Sequence, residues 1–147
     1  MSGCILFSNP RAEKSQTELI EIDNKQNQVI RGDVLFTTSS ETPEEVGMSS
    51  IWLDNAANIY LNSFCFGFRP SHKFDLNFLA YSLRSPSVRR NIVLLAQGIS
   101  RYNISKTKMM DLTILFPDLN EQSRIGLFLV NVDNLITLHQ RRCGKEK

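Results

Sequence analysis

The chain has little of what most catalytic and metal-binding sites are built from. Its 147 residues include only three cysteines and two histidines. Cys4, Cys65 and Cys143 are far apart and form no CxxC pair, which speaks against a zinc ribbon or a redox dithiol and leaves isolated reduced thiols. His72 and His139 lack HxxxH spacing, so neither a histidine metal site nor histidine-based acid–base chemistry is supported. GxGxxG, the Walker loop and GxSxG are absent, as is an Asn/Asp-Pro-Pro-aromatic tetrad. Asp33, Glu41, Glu44, Glu45 and Asp54 could be imagined as a metal-dependent nuclease, but they form no compact carboxylate motif with a lysine beside it. No cofactor, metal or catalytic role is expected. Apolar runs fall short of the roughly 18–20 residues a membrane helix needs. The start, "MSGCILFSNPRAEK", lacks a basic n-region, a long h-region and a cleavage pattern, so a cytoplasmic protein without a signal peptide is expected.

Acidic residues are missing from one long window. Between Asp75 and Asp111 there are none, while Arg84, Arg89, Arg90, Arg101, Lys106 and Lys108 all fall inside it. With a net charge of only +2, the rest of the chain is acidic on balance. A basic segment in such a setting is the electrostatic footprint of a polyanion partner such as DNA, or else a solvated helix face. What is present in ordinary amounts, 41% hydrophobic and 22% charged residues, suits one folded domain with a real core.

Patterning along the chain switches from period 2 to helical spacing. "TELIEID", "RGDVLFTTS", "VGMSSIWLD" and "IYLNSFCFGFRP" read as strands, with "SSETPEE" and "NAAN" as loops. In the last of these strands Tyr60, Asn62, Phe64, Phe66 and Phe68 share one face. "KFDLNFLAYSLRS" predicts a helix capped by Asp75. "SPSVRRNIVLLAQG" predicts a second, with Ser85 or Ser87 as cap, Pro86 in its first turn, Gly98 as its stop, and Arg89 and Arg90 beside the apolar face in solvent. "LTILFPDL" predicts a strand ended by Pro117. The last element is a helix with Asn120 as cap, in which Ile125, Phe128, Val132, Leu135 and His139 step as a short heptad seam widened by Leu129, Ile136 and Leu138. That stripe packs either on its own domain or on another helix. The fold expected is α+β: a mixed, mainly antiparallel sheet with packed helices over residues 1–118, then a coiled-coil-type helix over 119–147.

Three phrases, in order and spacing, resemble the specificity (S) subunits of type I restriction–modification enzymes. They are "GDVLFTTSSETPEEVG", "GISRYNIS" with Gly98, Arg101, Ile104 and Ser105, and "FPDLNEQSRIGLFLVNVDNLITLHQRR" with its Pro, Glu-Gln, Asp133 and closing His-Gln-Arg-Arg. The resemblance covers roughly residues 30 to 142, the last phrase being the most diagnostic. In that family two target-recognition domains, each reading half of a split DNA site, are joined by long helices that also dock methyltransferase (M) subunits; restriction (R) subunits then join, and the S subunit does no chemistry. The resemblance implies one target-recognition domain and one spacer or dimerisation helix here, as in a half-subunit or a form shortened ahead of Gly32. It implies double-stranded DNA, M and then R subunits as partners, and a second copy paired through the C-terminal helix; no membrane partner is implied.

Reading DNA requires phosphate anchors and base-edge readers. Arg84, Arg89, Arg90, Lys106 and Lys108 are candidate anchors. Arg101 can grip guanine and Asn103 adenine bidentately, and Tyr102 either stacks on DNA or packs beside the strand. Thr38, Ser39, Ser40 and Glu41 form a second candidate surface, with loop self-capping by their hydroxyls as the alternative. Helix-interface candidates are Ile125, Phe128, Leu129, Val132, Leu135 and Ile136. A protein-interaction fragment without DNA reading of its own is the competing expectation.

Overall fold

The computed structural model describes residues 10–13 and 27–143, so the strand expected over "TELIEID" lies outside the described residues. Within them the order is β1 (Arg11–Ala12), β2 (Val34–Thr37), β3 (Ser39–Ser40), β4 (Ser49–Trp52), β5 (Cys65–Phe68), α1 (Leu76–Ser82), α2 (Pro86–Leu94), β6 (Tyr102–Asn103), α3 (Lys106–Met110) and α4 (Leu119–Cys143). Four strands form one sheet in the order β1-β4-β2-β5; β1 runs parallel to β4 and the other pairs are antiparallel. The remaining two strands, β3 and β6, form a separate ribbon. The fold is therefore α+β with a mixed, mainly antiparallel sheet, as the patterning indicated.

Both faces of the sheet are covered, which is why β2 carries the continuous apolar run Val34-Leu35-Phe36. Successive side chains of β2 point to opposite sides. Val34 and Phe36 join Ile51 of β4 and the helical residues Leu79, Leu83, Val88, Ile92 and Met109 in one cluster, while Leu35 joins Ala12, Val29, Trp52 and Ile59 in another. Leu35, Ile51, Trp52 and Ile92 are fully buried, each worth about 1.5–3 kcal/mol of transfer free energy. Phe36 stacks on Phe66 at 5.6 Å and meets Phe68 edge-on at 6.0 Å, which locks β5 onto β2. Buried Asp33, just ahead of β2, holds Arg69 through two contacts of 2.8 and 2.9 Å and accepts the Ile30 amide.

Four sequence expectations are corrected by tertiary context. The long strand at 59–70 survives only as β5. Asn62 turns the chain by accepting the Phe64 amide on Oδ1 and the Cys65 amide on its carbonyl, and Phe64 leaves the shared face with Phe66 and Phe68 for solvent. The strand expected at 112–119 is irregular backbone. Its side chains alternate, with Leu112, Ile114 and Phe116 packed on the core and Leu115 exposed, but no ladder partner is paired with it among the described residues. Alternation reports which side faces the core; a strand also needs a backbone to pair with. The second helix ends at Leu94, before Gly98. Finally, α4 is capped by Asp118 rather than Asn120: Asp118 Oδ1 accepts the amides of Asn120 and Glu121 at 2.8 and 3.0 Å. Asp75 caps α1 as expected, accepting the Phe78 amide at 2.9 Å. Ser85 occupies the cap of α2 without a side-chain bond, followed by Pro86.

The first half of α4 lies on α1. Buried Gln122 accepts the Asp75 amide at 3.1 Å and donates to the Pro117 carbonyl at 2.8 Å. One turn on, Gly126 lets the helices meet: a Cβ there would sit 2.4 Å from Asp75 Oδ1 and 2.8 Å from the Phe78 amide nitrogen. Past Asp133 every described residue of α4 is exposed.

Candidate nucleic-acid interface

The two candidate reading segments, more than fifty positions apart, are joined by the β3–β6 ribbon. Ser39 pairs with Asn103 and Ser40 with Tyr102 in antiparallel register. The ladder extends at both ends: the Ile104 amide donates to the Thr38 carbonyl at 2.9 Å, and Gln97 and Asn103 exchange amide bonds of 2.9 and 2.8 Å. Gly98 serves this loop rather than the helix before it. Its φ is +139°, and a Cβ would fall 2.0 Å from the Arg101 carbonyl oxygen, so only glycine closes the turn. Ile104 is buried against the core and pins the loop from below.

The side chains divide into free groups and committed ones. Arg101 and Asn103 are exposed; Arg101 rests on Ser39 Oγ at 3.2 Å, and Asn103 Nδ2 donates to the Arg101 carbonyl at 3.2 Å. Tyr102 points the other way and packs on the core. The Thr38 hydroxyl donates to the Phe64 carbonyl at 2.9 Å, and the Ser40 hydroxyl donates to Glu45 at 3.2 Å while accepting the Thr42 amide at 3.3 Å. The hydroxyls at 38 and 40 are thus committed to protein partners, with Glu41 left exposed.

Basic residues of the acidic-free window also divide. Arg84 donates to the Ser49 carbonyl at 2.8 Å and to Ser50 Oγ at 3.3 Å. Arg89 donates to the carbonyls of Gly47 at 2.8 Å, Val46 at 2.8 Å and Glu44 at 2.6 Å. Half-buried Arg89 is therefore not the solvent-facing residue expected beside the apolar stripe. Both guanidinium groups turn inward and clamp the 44–50 backbone leading into β4 by donating to its carbonyls. Burial, then the neighbouring Arg89, push Arg84 down to about 10; burial also lowers Arg89. Both stay charged at neutral pH. Arg90 and Lys106 remain exposed and Lys108 half-exposed, the Lys106 ammonium lying 5.3 Å over the Phe68 ring at the start of α3.

Sequence reasoning missed two exposed groups on this side of the molecule. Phe64 is 62% exposed beside Thr38, and Ile99 is 97% exposed in the loop of the ribbon. A large apolar side chain in the most polar stretch of the chain was the available signal for Ile99; Phe64 was hidden by the alternating run around it. The five acidic residues considered for a nuclease do not converge: Asp33 is tied to Arg69, and among the described residues no group of three His, Cys, Asp or Glu side chains is placed to hold a metal. Likewise no described helix is long and apolar enough to cross a membrane.

Residues 5–144 match the type I restriction modification DNA specificity domain family. The chain belongs to this family. Two solved structures share its fold. One is a chain from a study of complex assembly and conformational transition of the type I R-M system, with a TM-score of 0.58 at 22% identity over 80% of this specificity domain and 27% of that chain. The other is the type I restriction–modification S subunit from M. genitalium, with a TM-score of 0.57 at 18% identity over 86% of this domain and 32% of that chain. The chain thus spans about a third or less of the length of these proteins. No curated protein matches it significantly in sequence.

Proposed function

We propose that this chain reads one half of a split, double-stranded DNA target with the β3–β6 ribbon and docks M subunits, which R subunits then join. Residues 1–118 act as the target-recognition domain and 119–147 as the spacer and dimerisation helix, in the cytoplasm, with the chemistry left to the partner subunits. The observation that carries this reading is the ribbon itself. It brings Ser39 and Ser40 against Arg101 and Asn103 and presents the last two to solvent. A two-stranded ribbon is one of the elements a major groove admits, and Arg and Asn are the side chains that grip guanine and adenine bidentately. Arg90, Lys106 and Lys108 supply phosphate contacts. Arg84 and Arg89 support the loop instead. The test is binding of the chain, assembled with M subunits of its own system, to its selected target duplex. Arg101→Ala and Asn103→Ala are each expected to cost about 1–3 kcal/mol of discrimination. Unchanged sequence preference in both variants would sink the reading.

A second function is supported by α4. Phe128 and Leu135 are 64% and 66% exposed, with Ile136 and Leu138 also in solvent, while Ile125, Leu129 and Val132 are half-buried on the flank of the α1 contact. A stripe of this kind on a helix that outruns its domain suits pairing with a second helix. Two copies joined this way would present two reading domains to a symmetric split site. Light scattering should give a dimer or a stable complex with an M subunit; a monomer that ignores that subunit would remove this part of the proposal.

A further inference from the structure

Phe64 is held where the core cannot use it. Its carbonyl accepts from both the amide and the hydroxyl of Thr38, at 2.8 and 2.9 Å, and its amide donates to Asn62 Oδ1 at 3.0 Å. The next residue, Cys65, is in register with Thr37 in the main sheet. The backbone of Phe64 is thus fixed on both sides, one residue away from Ser39 of the ribbon, while its ring is left 62% exposed. Phe66 and Phe68, which follow it at spacing two, pack onto Phe36. The Asn62 turn takes Phe64 out of that row and sets it beside the reading ribbon.

Apart from Ile99 in its loop, the ribbon exposes a guanidinium and a carboxamide, which read hydrogen-bonding edges. The base edges exposed in the major groove also carry one apolar group, the C5-methyl of thymine, and an aromatic ring is among the side chains that contact it. With its backbone already fixed, an aromatic residue has only two side-chain torsions to order when it binds. We propose that Phe64 is the apolar reader of this surface, contacting a thymine methyl while Arg101 and Asn103 take the hydrogen-bonding edges. This rests on the ribbon facing DNA, and the experiment separates the two ideas.

The full chain, assembled with M subunits of its own system, is used to select from a random duplex pool made with dTTP and from one made with dUTP, which lacks the methyl. The wild type is expected to enrich a motif with at least one thymine position in the first pool, and to lose a roughly fourfold preference there in the second, the worth of one buried methyl. Phe64→Ala should lose that preference in the dTTP pool while keeping every other position of the motif; Phe64→Leu should retain part of it. A thymine preference unchanged in Phe64→Ala, or equal enrichment of thymine and uracil by the wild type, overturns the proposal while leaving the ribbon reading intact. No enriched motif at all overturns both. Thermal melting of both variants close to that of the wild type is expected, because the ring lies mostly in water.

Discussion

The Tyr81 hydroxyl donates a 2.5 Å hydrogen bond to the Asp133 carboxylate, tying α1 to α4 at the last point where the two helices touch through buried or half-buried side chains. Burial first, and then this bond, push Tyr81 up to about 12 from its ordinary value of 10.0. The folded state holds the proton more tightly than the unfolded one, so the stabilisation is fully present below about pH 10 and is lost as pH rises towards 12. Tyr81→Phe is therefore expected to lower stability by about 1–2 kcal/mol at neutral pH. The gap between wild type and variant should close over that alkaline interval in denaturant titrations. A gap that is constant with pH would show that the bond contributes nothing. Arg84 also titrates in that range, but equally in both proteins, and drops out of the difference.

Arg89 makes a contrast with the exposed basic residues. Its guanidinium satisfies three backbone carbonyls at 44, 46 and 47. Arg89→Ala is expected to cost about 1–3 kcal/mol of stability and to leave the salt dependence of DNA binding unchanged per folded molecule. Lys108→Ala or Arg90→Ala should leave stability within about 0.5 kcal/mol and reduce the slope of log K against log salt by about 1. The opposite assignment, a shallower slope for Arg89→Ala with no loss of stability, would return Arg89 to the DNA surface.

Gly98 closes the ribbon's loop against the Arg101 backbone. With φ at +139° and the Arg101 carbonyl at 2.0 Å from any added Cβ, Gly98→Ala must open the turn. Sequence preference should fall with that of Arg101→Ala, while the denaturation midpoint moves by no more than about 1–2 kcal/mol, since the residue buries nothing. Retained preference in Gly98→Ala would mean that the turn does not position Arg101.

How much of this was legible beforehand follows from the range of each interaction. Asp75 as a cap, Pro86 in a first turn, and the apolar run of Val34 to Phe36 are set by residues within four positions of one another, and all three were found. The family phrases were equally visible, because they are linear. The misses came where a regular pattern hid what the backbone does. Leu112 to Phe116 has a strand's alternation and, among the described residues, no strand paired with it. Gly98 closes on Arg101 rather than on the helix, and the Asn62 turn takes Phe64 out of its row.

The basic window shows the same division most clearly. By itself the sequence determined that six cations sit where no acid does, that three helices and several strands form, and which family the phrases resemble. Charge is additive and needs no geometry to be counted. Only the tertiary structure decided that Arg84 and Arg89 turn inward to backbone carbonyls, that Ser39 and Arg101 meet across the ribbon at 3.2 Å, and that Gly126 lets α4 lie against α1. Hydrogen bonds are short and directional, so which residue a side chain serves is settled only when the chain has brought its partner within about 3 Å.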